Sequence, residues 1–404
     1  MKKWIKISLV ASMALSGWVY AEVQNINGVT IYDIPESSQQ TAEAMKIPTR
    51  VIPRVKNADP KDVLPSIDPE KLKESLLSRQ AKPFVKKVIS EGRAGSEGDE
   101  FATSLPEVTV QKNIEEGGEL FEYGENLSED FPAFPYTTSR VDMYAKLNKT
   151  AFSKKYPYSA AGKLFFKIGG DSYVCTASMI KRGVLVTAAH CVSEFGKNQI
   201  FKDFQYVPAY KKQNAPYGVW SAKKVLVLSN YLKGKDGECL VPSSATVCLD
   251  DVALIILKPK KGKYAGDLTG WFRVGLTGYS YVENAAAQMT SLGYPVSHDL
   301  GKLMQRNDSI GALLDDRVNY NTVIGSRMTG GSSGGPWLVN FGETAKLSNG
   351  VSVGNDAKTN VVVGVTSWGF VDDSLKYQFA SPFTNKNIGK LLKTACRIDK
   401  KACR

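Results

Sequence analysis

Residues 173–191 read Tyr-Val-Cys-Thr-Ala-Ser-Met-Ile-Lys-Arg-Gly-Val-Leu-Val-Thr-Ala-Ala-His-Cys. Two short apolar runs, Tyr173 to Ile180 and Gly183 to Thr187, flank a Lys-Arg-Gly turn, a length and punctuation that predict paired strands and not helices. The same texture extends outward. Lys163 to Ile168 lies before this stretch; Lys224 to Leu228, Asp251 to Leu257, Met289 to Tyr294, Trp337 to Phe341, Val361 to Trp368 and Tyr377 to Ala380 follow it, separated by Gly, Asn, Asp and Lys turns. Many short strands with little helix between them predict an all-β sandwich or barrel pair. Only the end reads as helical: Thr384 or Asn385 supplies a cap, and Ile388, Leu391 and Leu392 share one face.

The first 150 residues have a different texture. Lys2, Lys3 and Lys6, an apolar stretch from Ile7 to Leu15 and Val19-Tyr20-Ala21 form an export leader, with cleavage expected after Ala21. The division expected is a signal peptide over 1–21, an N-terminal prosegment over 22–150 and the main domain over 151–404. Glu22 to Ile67 is polar and carries five prolines, which predicts loose structure, and Asp68-Pro69 reads as the start of a short helix. Charge divides the same way. The chain's net charge is +12, but residues 22–150 carry 16 basic and 22 acidic groups, whereas residues 151–404 carry 33 basic and 18 acidic. The stretch 91–130 alone holds twelve acidic residues against Arg93 and Lys112, so it reads as a linker or docking arm able to contact the basic domain in cis.

Composition excludes several classes. With 43% hydrophobic and 23% charged residues the chain is globular, and no apolar run past the leader approaches the roughly 18 residues a membrane span requires, so no anchor is expected. No RNA-binding motif, zinc-finger spacing or helix-turn-helix pattern accompanies the basic charge, so nucleic acid is not an expected partner. No metal-ligand cluster or cofactor motif is visible. Six cysteines (Cys175, Cys191, Cys239, Cys248, Cys396, Cys403) in an exported chain predict disulfides, with Cys239–Cys248 and Cys396–Cys403 as local staples.

The chain has only two histidines, so a histidine-dependent reaction has two candidates. His298 lies in a polar Val-Ser-His-Asp-Leu turn and reads as a surface residue. His190 closes Thr187-Ala-Ala-His-Cys191; Asp251-Val-Ala-Leu-Ile-Ile follows 61 residues later, and Gly330-Gly-Ser-Ser333-Gly-Gly-Pro-Trp337 a further 82. Gly364-Val-Thr-Ser367-Trp368-Gly369 is a fourth block, and Gly293-Tyr-Pro295 a weaker one. In this order the blocks resemble the chymotrypsin-like serine peptidases, including their trypsin-like and glutamyl-endopeptidase-like bacterial branches, over about residues 155 to 395.

The resemblance implies two six-stranded antiparallel β-barrels, a Cys175–Cys191 disulfide, and a secreted endopeptidase, extracellular or periplasmic, that acts on proteins or peptides without a cofactor. It implies a catalytic triad of His190, Asp251 and Ser333, an oxyanion hole from the Gly331 and Ser333 amides, and substrate contacts from Arg327, Ser367, Trp368 and Gly369. The residue types suit the chemistry. A serine hydroxyl needs a neighbouring base poised near neutrality, which imidazole provides, and a carboxylate on the far nitrogen holds the imidazole in the right tautomer. Asp250 is a runner-up for that carboxylate, disfavoured because Asp251 is the one followed by Val-Ala-Leu.

The chain also departs from the pattern. Where the trypsin branch has an aspartate that pairs with a newly freed amino terminus, this chain has Ser332, and no Ile-Val-Gly-Gly-like start lies between Arg140 and Tyr158; Arg140 and Lys149 are the cleavage points expected there. Arg327 occupies the position of the pocket-base aspartate, which disfavours Lys/Arg substrates, and Thr366 stands where glutamyl-specific members carry histidine. A contrasting reading is a secreted binding or adhesion protein that keeps the fold without catalysis; the presence of all three triad residues argues against it.

Overall fold

The computed structural model describes residues 23–35, 49–51, 88–105, 135–142, 151–235, 249–276, 286–313, 322–342, 358–369 and 376–404. Outside these lie the leader, the helix expected at Asp68-Pro69, most of the acidic stretch, and both Cys239 and Cys248.

Twelve strands close two antiparallel barrels. The first uses β1 (Ala161–Ile168), β2 (Asp171–Lys181), β3 (Val184–Thr187), β4 (Lys202–Pro208), β5 (Trp220–Leu228) and β6 (Ala253–Leu257), hydrogen-bonded in the order β4-β1-β2-β3-β6-β5 and closed by β5 on β4. The second uses β7 (Ala286–Gly293), β8 (Gln305–Leu313), β9 (Thr322–Gly325), β10 (Pro336–Val339), β11 (Val361–Gly369) and β12 (Tyr377–Pro382), in the order β10-β7-β8-β9-β12-β11 and closed by β11 on β10. Closure leaves no open edge among the twelve where the ladders are continuous.

The first barrel's two shortest strands are apolar nearly end to end because both of their faces are covered. β3 and β6 are buried at every position, facing the barrel interior on one side and packed elements on the other. One such element is the C-terminal helix α1 (Lys390–Ile398), which buries Leu391, Leu392 and Ala395. Its approach is set by a reciprocal cap one turn earlier: Asn387 N donates to Thr384 Oγ1 at 3.1 Å, and Thr384 N donates to Asn387 Oδ1 at 2.7 Å. The Cys396–Cys403 disulfide then folds the tail back, and Gly183 N in the β2–β3 turn donates to Ala402 O at 2.7 Å.

Within the N-terminal region, which composition reads as loosely structured, the described residues add short strands to both barrels. Val23–Ile26 and Val29–Asp33 form a hairpin about Asn27-Gly28, both at positive φ, a pairing of residue types suited to such turns. Val29–Asp33 pairs with Lys224 to Leu228 of β5, beyond the point where β4 leaves that strand, and buries Val29 and Ile31. Thr49–Val51 runs parallel to β2, Val88–Ser90 pairs with Arg273–Gly275 beside β11, and Tyr136–Arg140 lies antiparallel to Gln305 to Ser309 of β8. Prolines dominated the sequence signal here, yet Pro35 and Pro48 flank these strands and do not interrupt them. Among the described residues no helix is long and apolar enough to cross a membrane.

Candidate active site

Strand register in the first barrel brings His190 and Asp251 together. Ala253 of β6 pairs with Thr187 of β3, so the residues just before β6 run alongside those just after β3. His190 sits there in a single 3-10 turn, Ala189–Cys191, tied to β2 by the Cys175–Cys191 disulfide. Asp251 accepts from the His190 backbone N–H at 2.8 Å through Oδ1, and its Oδ2 lies 2.7 Å from His190 Nδ1. An ionised carboxylate accepts only, so Nδ1 carries the proton and Nε2 is left with its lone pair. Asp250 is half-buried and does not contribute the carboxylate on His190.

Asp251 is 4% exposed and receives a third bond from Ser367 Oγ, at 2.5 Å. Burial pushes its carboxyl pKa up, but the adjacent His190 charge and the hydrogen bonds from His190 and Ser367 outweigh this and hold it below the usual carboxylate range. Ser367 reaches it because β11 carries an irregularity between Thr366 and Trp368 where it pairs with β12. Trp368 stacks on Phe379, with ring centroids 3.7 Å apart.

Ser333 comes from the loop before β10 in the second barrel, and β2 of the first barrel holds it. Thr176 N donates to Ser333 O at 2.8 Å, Thr176 Oγ1 donates to Gly331 O at 2.8 Å, and Tyr294 N donates to Thr176 Oγ1 at 3.1 Å. Gly334 has φ +77°, and a Cβ there would lie 2.0 Å from Thr187 Oγ1 and 2.9 Å from Ala188 N. The Ser333 loop therefore rests on the strand end that leads, two residues later, to His190. Gly331, at φ +91°, completes the turn. Among the described residues the N–H groups of Gly331 and Ser333 have no hydrogen-bond acceptor.

The residues expected to contact substrate divide. Ser367 holds Asp251, and Trp368 and Gly369 end β11. Arg327 is exposed on the loop after β9, close enough for its charge to act on Tyr136 and His298. Thr366 is buried, and its hydroxyl accepts from the Trp337 indole N–H at 2.9 Å. His298 is half-buried in its turn with Ser297 Oγ 2.9 Å from Nδ1; burial, then Arg327, lowers its pKa against an opposing pull from Asp299. Sequence reasoning gave no role to Thr176, although it lies in the quoted stretch, nor to Gln378. Cys175, His190 and Cys191 bring ligand-type atoms together, but both sulfurs are spent in their disulfide.

The trypsin family model matches residues 149–388, more than half of the chain, and this chain belongs to that family. Among solved structures it is similar to a thermostable serine protease, AL20, from an extremophilic microorganism, at 20% identity over 60% of this chain and 98% of that one, with a TM-score of 0.47. It is also similar to the protease Anisep from Arthrobacter nicotinovorans (23% identity, 60% and 95% coverage, TM-score 0.44) and to a Glu endopeptidase in complex with MPD (17%, 64% and 95%, 0.44). No curated protein matches the chain.

Proposed function

We propose that this trypsin-family protein is a secreted serine endopeptidase working through a His190–Asp251–Ser333 triad, made as a precursor whose N-terminal region docks in cis. The observation that carries the reading is the grip of Asp251 on both the ring and the backbone of His190, at 2.7 and 2.8 Å, on a barrel edge against which the Ser333 loop rests.

His190 Nε2 takes the Ser333 hydroxyl proton as Oγ adds to the scissile carbonyl carbon. The carbonyl oxygen becomes an oxyanion, which the unspent N–H groups of Gly331 and Ser333 receive. The imidazolium, stabilised by Asp251, then protonates the departing amine as the C–N bond breaks, leaving an ester on Ser333. Water, deprotonated by the same nitrogen, cleaves that ester and restores the hydroxyl. The N-terminal region is suited to docking: Glu91 pairs with Arg273 at 2.9 Å and Lys358 at 2.7 Å, and Glu100 pairs with Lys263 at 2.6 Å.

The test is to label the exported protein with a serine-reactive phosphonate, sequence the labelled peptide and read the amino terminus. Label on Ser333, an amino terminus beyond Ala21 and a Ser333→Ala protein that folds but has lost nearly all peptide hydrolysis are the expected results. Near wild-type turnover in Ser333→Ala would overturn the reading.

A further inference from the structure

The loop from Met328 to Ser333 uses every one of its backbone carbonyls. Met328 O accepts from Gln378 Nε2 at 3.3 Å, and Thr329 O accepts from Ser332 N at 3.1 Å and Ser332 Oγ at 2.6 Å. Gly330 O accepts from Val296 N at 2.9 Å, Gly331 O from Thr176 Oγ1 at 2.8 Å, Ser332 O from Gly335 N at 2.9 Å and Ser333 O from Thr176 N at 2.8 Å. In a trans peptide the carbonyl and the next N–H point in opposite directions across one plane. Holding the Gly330 carbonyl on Val296 therefore aims the Gly331 N–H, and holding the Ser332 carbonyl on Gly335 aims the Ser333 N–H. Among the described residues both of these donors, like the Gly330 N–H, are left without an acceptor.

Ser332 is the hinge of this arrangement, at 2% exposure. Its hydroxyl donates into the loop and accepts from Gln378 Nε2 at 2.9 Å, while Gln378, on β12 and 1% exposed, also reaches Met328 O. The other end of that amide has no such use. Among the described residues Gln378 Oε1 is buried without a hydrogen-bond partner, a costly placement for an amide that only filled space, since an apolar side chain of the same shape would avoid it. The position adjoining Ser333 is thus held, among the described residues, by a neutral amide and a hydroxyl and not by a carboxylate that an ammonium group would pair with.

We infer that Gln378 is a positioning residue that sets the oxyanion hole through Ser332, so that the hole is formed without a newly freed amino terminus. This rests on the serine-peptidase reading above. Cleavage of the N-terminal region then has no part in ordering the hole.

The experiment measures kcat and KM on a peptide anilide, with thermal unfolding recorded in parallel, for wild type, Gln378→Met, Ser332→Ala and the double variant. Methionine keeps the length of glutamine and removes its donor. Gln378→Met is expected to lower kcat roughly 3- to 10-fold with KM within about 2-fold, the size of one neutral hydrogen bond. Both single variants break the Gln378–Ser332 bond, while each also loses one bond of its own, Gln378 to Met328 O or Ser332 to Thr329 O, so the double variant should fall by clearly less than the product of the two single losses. A second arm extends the mature amino terminus by one residue, and kcat should be unchanged. Unchanged kcat in folded Gln378→Met, additive losses in the double variant, or a fall of about 100-fold on extension would each overturn the inference. If wild type is neither active nor labelled at Ser333, the serine-peptidase reading fails with it; if wild type is both, only the role of Gln378 is at stake.

Discussion

The two barrels reach the same architecture by different chemistry. The first is the more apolar: β3 and β6 read Val-Leu-Val-Thr and Ala-Leu-Ile-Ile-Leu, its core is continuous with the packing under α1, and its buried polar side chains, such as Lys163 and Thr176, are turned to the second barrel. The second is threaded with buried polar side chains. Asn307 is fully buried, donates to Gly325 O at 3.0 Å and accepts from Thr138 Oγ1 at 2.6 Å; Ser309 Oγ donates to Pro135 O at 3.0 Å and accepts from Gly325 N at 3.0 Å. Its separate apolar cluster is small, centred on Trp337, Val361 and Ile324. The division of labour follows. The first barrel provides His190 and Asp251, placed by strand register and a disulfide, while the second provides Ser333 on a loop that depends on hydrogen bonds from elsewhere.

The sharpest break is at the register-held pair. Asp251→Asn keeps the shape of the site but presents an N–H donor where His190 Nδ1–H needs an acceptor, which favours the wrong tautomer. A fall in kcat of about four orders of magnitude is expected, with circular dichroism and thermal unfolding close to wild type. A loss of less than tenfold would show that the first barrel does not orient the base in this way.

The contact between the barrels comes next. Thr176→Val is nearly isosteric, yet it leaves Gly331 O without the Thr176 hydroxyl and Tyr294 N–H without its acceptor. Two unpaired buried groups cost about 1–3 kcal/mol each, so a lower unfolding midpoint should accompany roughly a 10-fold loss of kcat. If stability falls and kcat per folded molecule does not, the loop of the second barrel holds itself.

The smallest effect concerns Lys163, the buried cation at the same junction. Its Nζ donates to Gly301 O at 2.7 Å and lies over the Phe165 and Tyr210 rings. Burial, with a lesser push from Lys302, lowers its pKa to about 7. An unfolded lysine keeps its proton to about pH 10.4, so between about pH 7 and 10 the unfolded chain binds the extra proton and this residue's contribution to stability rises with pH. Below about pH 7 the cost of a buried charge is present in full. Lys163→Met should therefore raise the unfolding midpoint by a few degrees near pH 6 and lose that advantage by about pH 10. An equal difference at both pH values would contradict the sign.

The apolar barrel was the more readable in sequence. Of its strands only β4 escaped the pattern, whereas in the second barrel β8 and β9 did: β8 reads Gln-Arg-Asn-Asp-Ser-Ile-Gly-Ala-Leu, which announces a loop when its side chains are assumed to face water. Gln305, Asn307 and Ser309 are buried because Tyr136–Arg140 and Gly325 supply partners that no local window contains. Likewise, the prolines around the first N-terminal strands masked segments whose stability comes from a free edge of β5 some 190 residues away.

By itself the sequence determined what side-chain identity carries: apolar strand runs, the His190, Asp251 and Ser333 segments in their order, the Thr384 cap, and glycines where the nucleophile turn needs positive φ. Tertiary structure alone decided what any backbone can do. That Thr176 holds two carbonyls of the Ser333 loop and that Gln378 reaches Met328 O are outcomes of which carbonyl happens to lie opposite, and the meetings of Ser367 with Asp251 and of Gln378 with Ser332 follow from the same packing. Carbonyls and amides are the same at every residue, so a long-range bond to one leaves no mark in the chain until the two barrels meet.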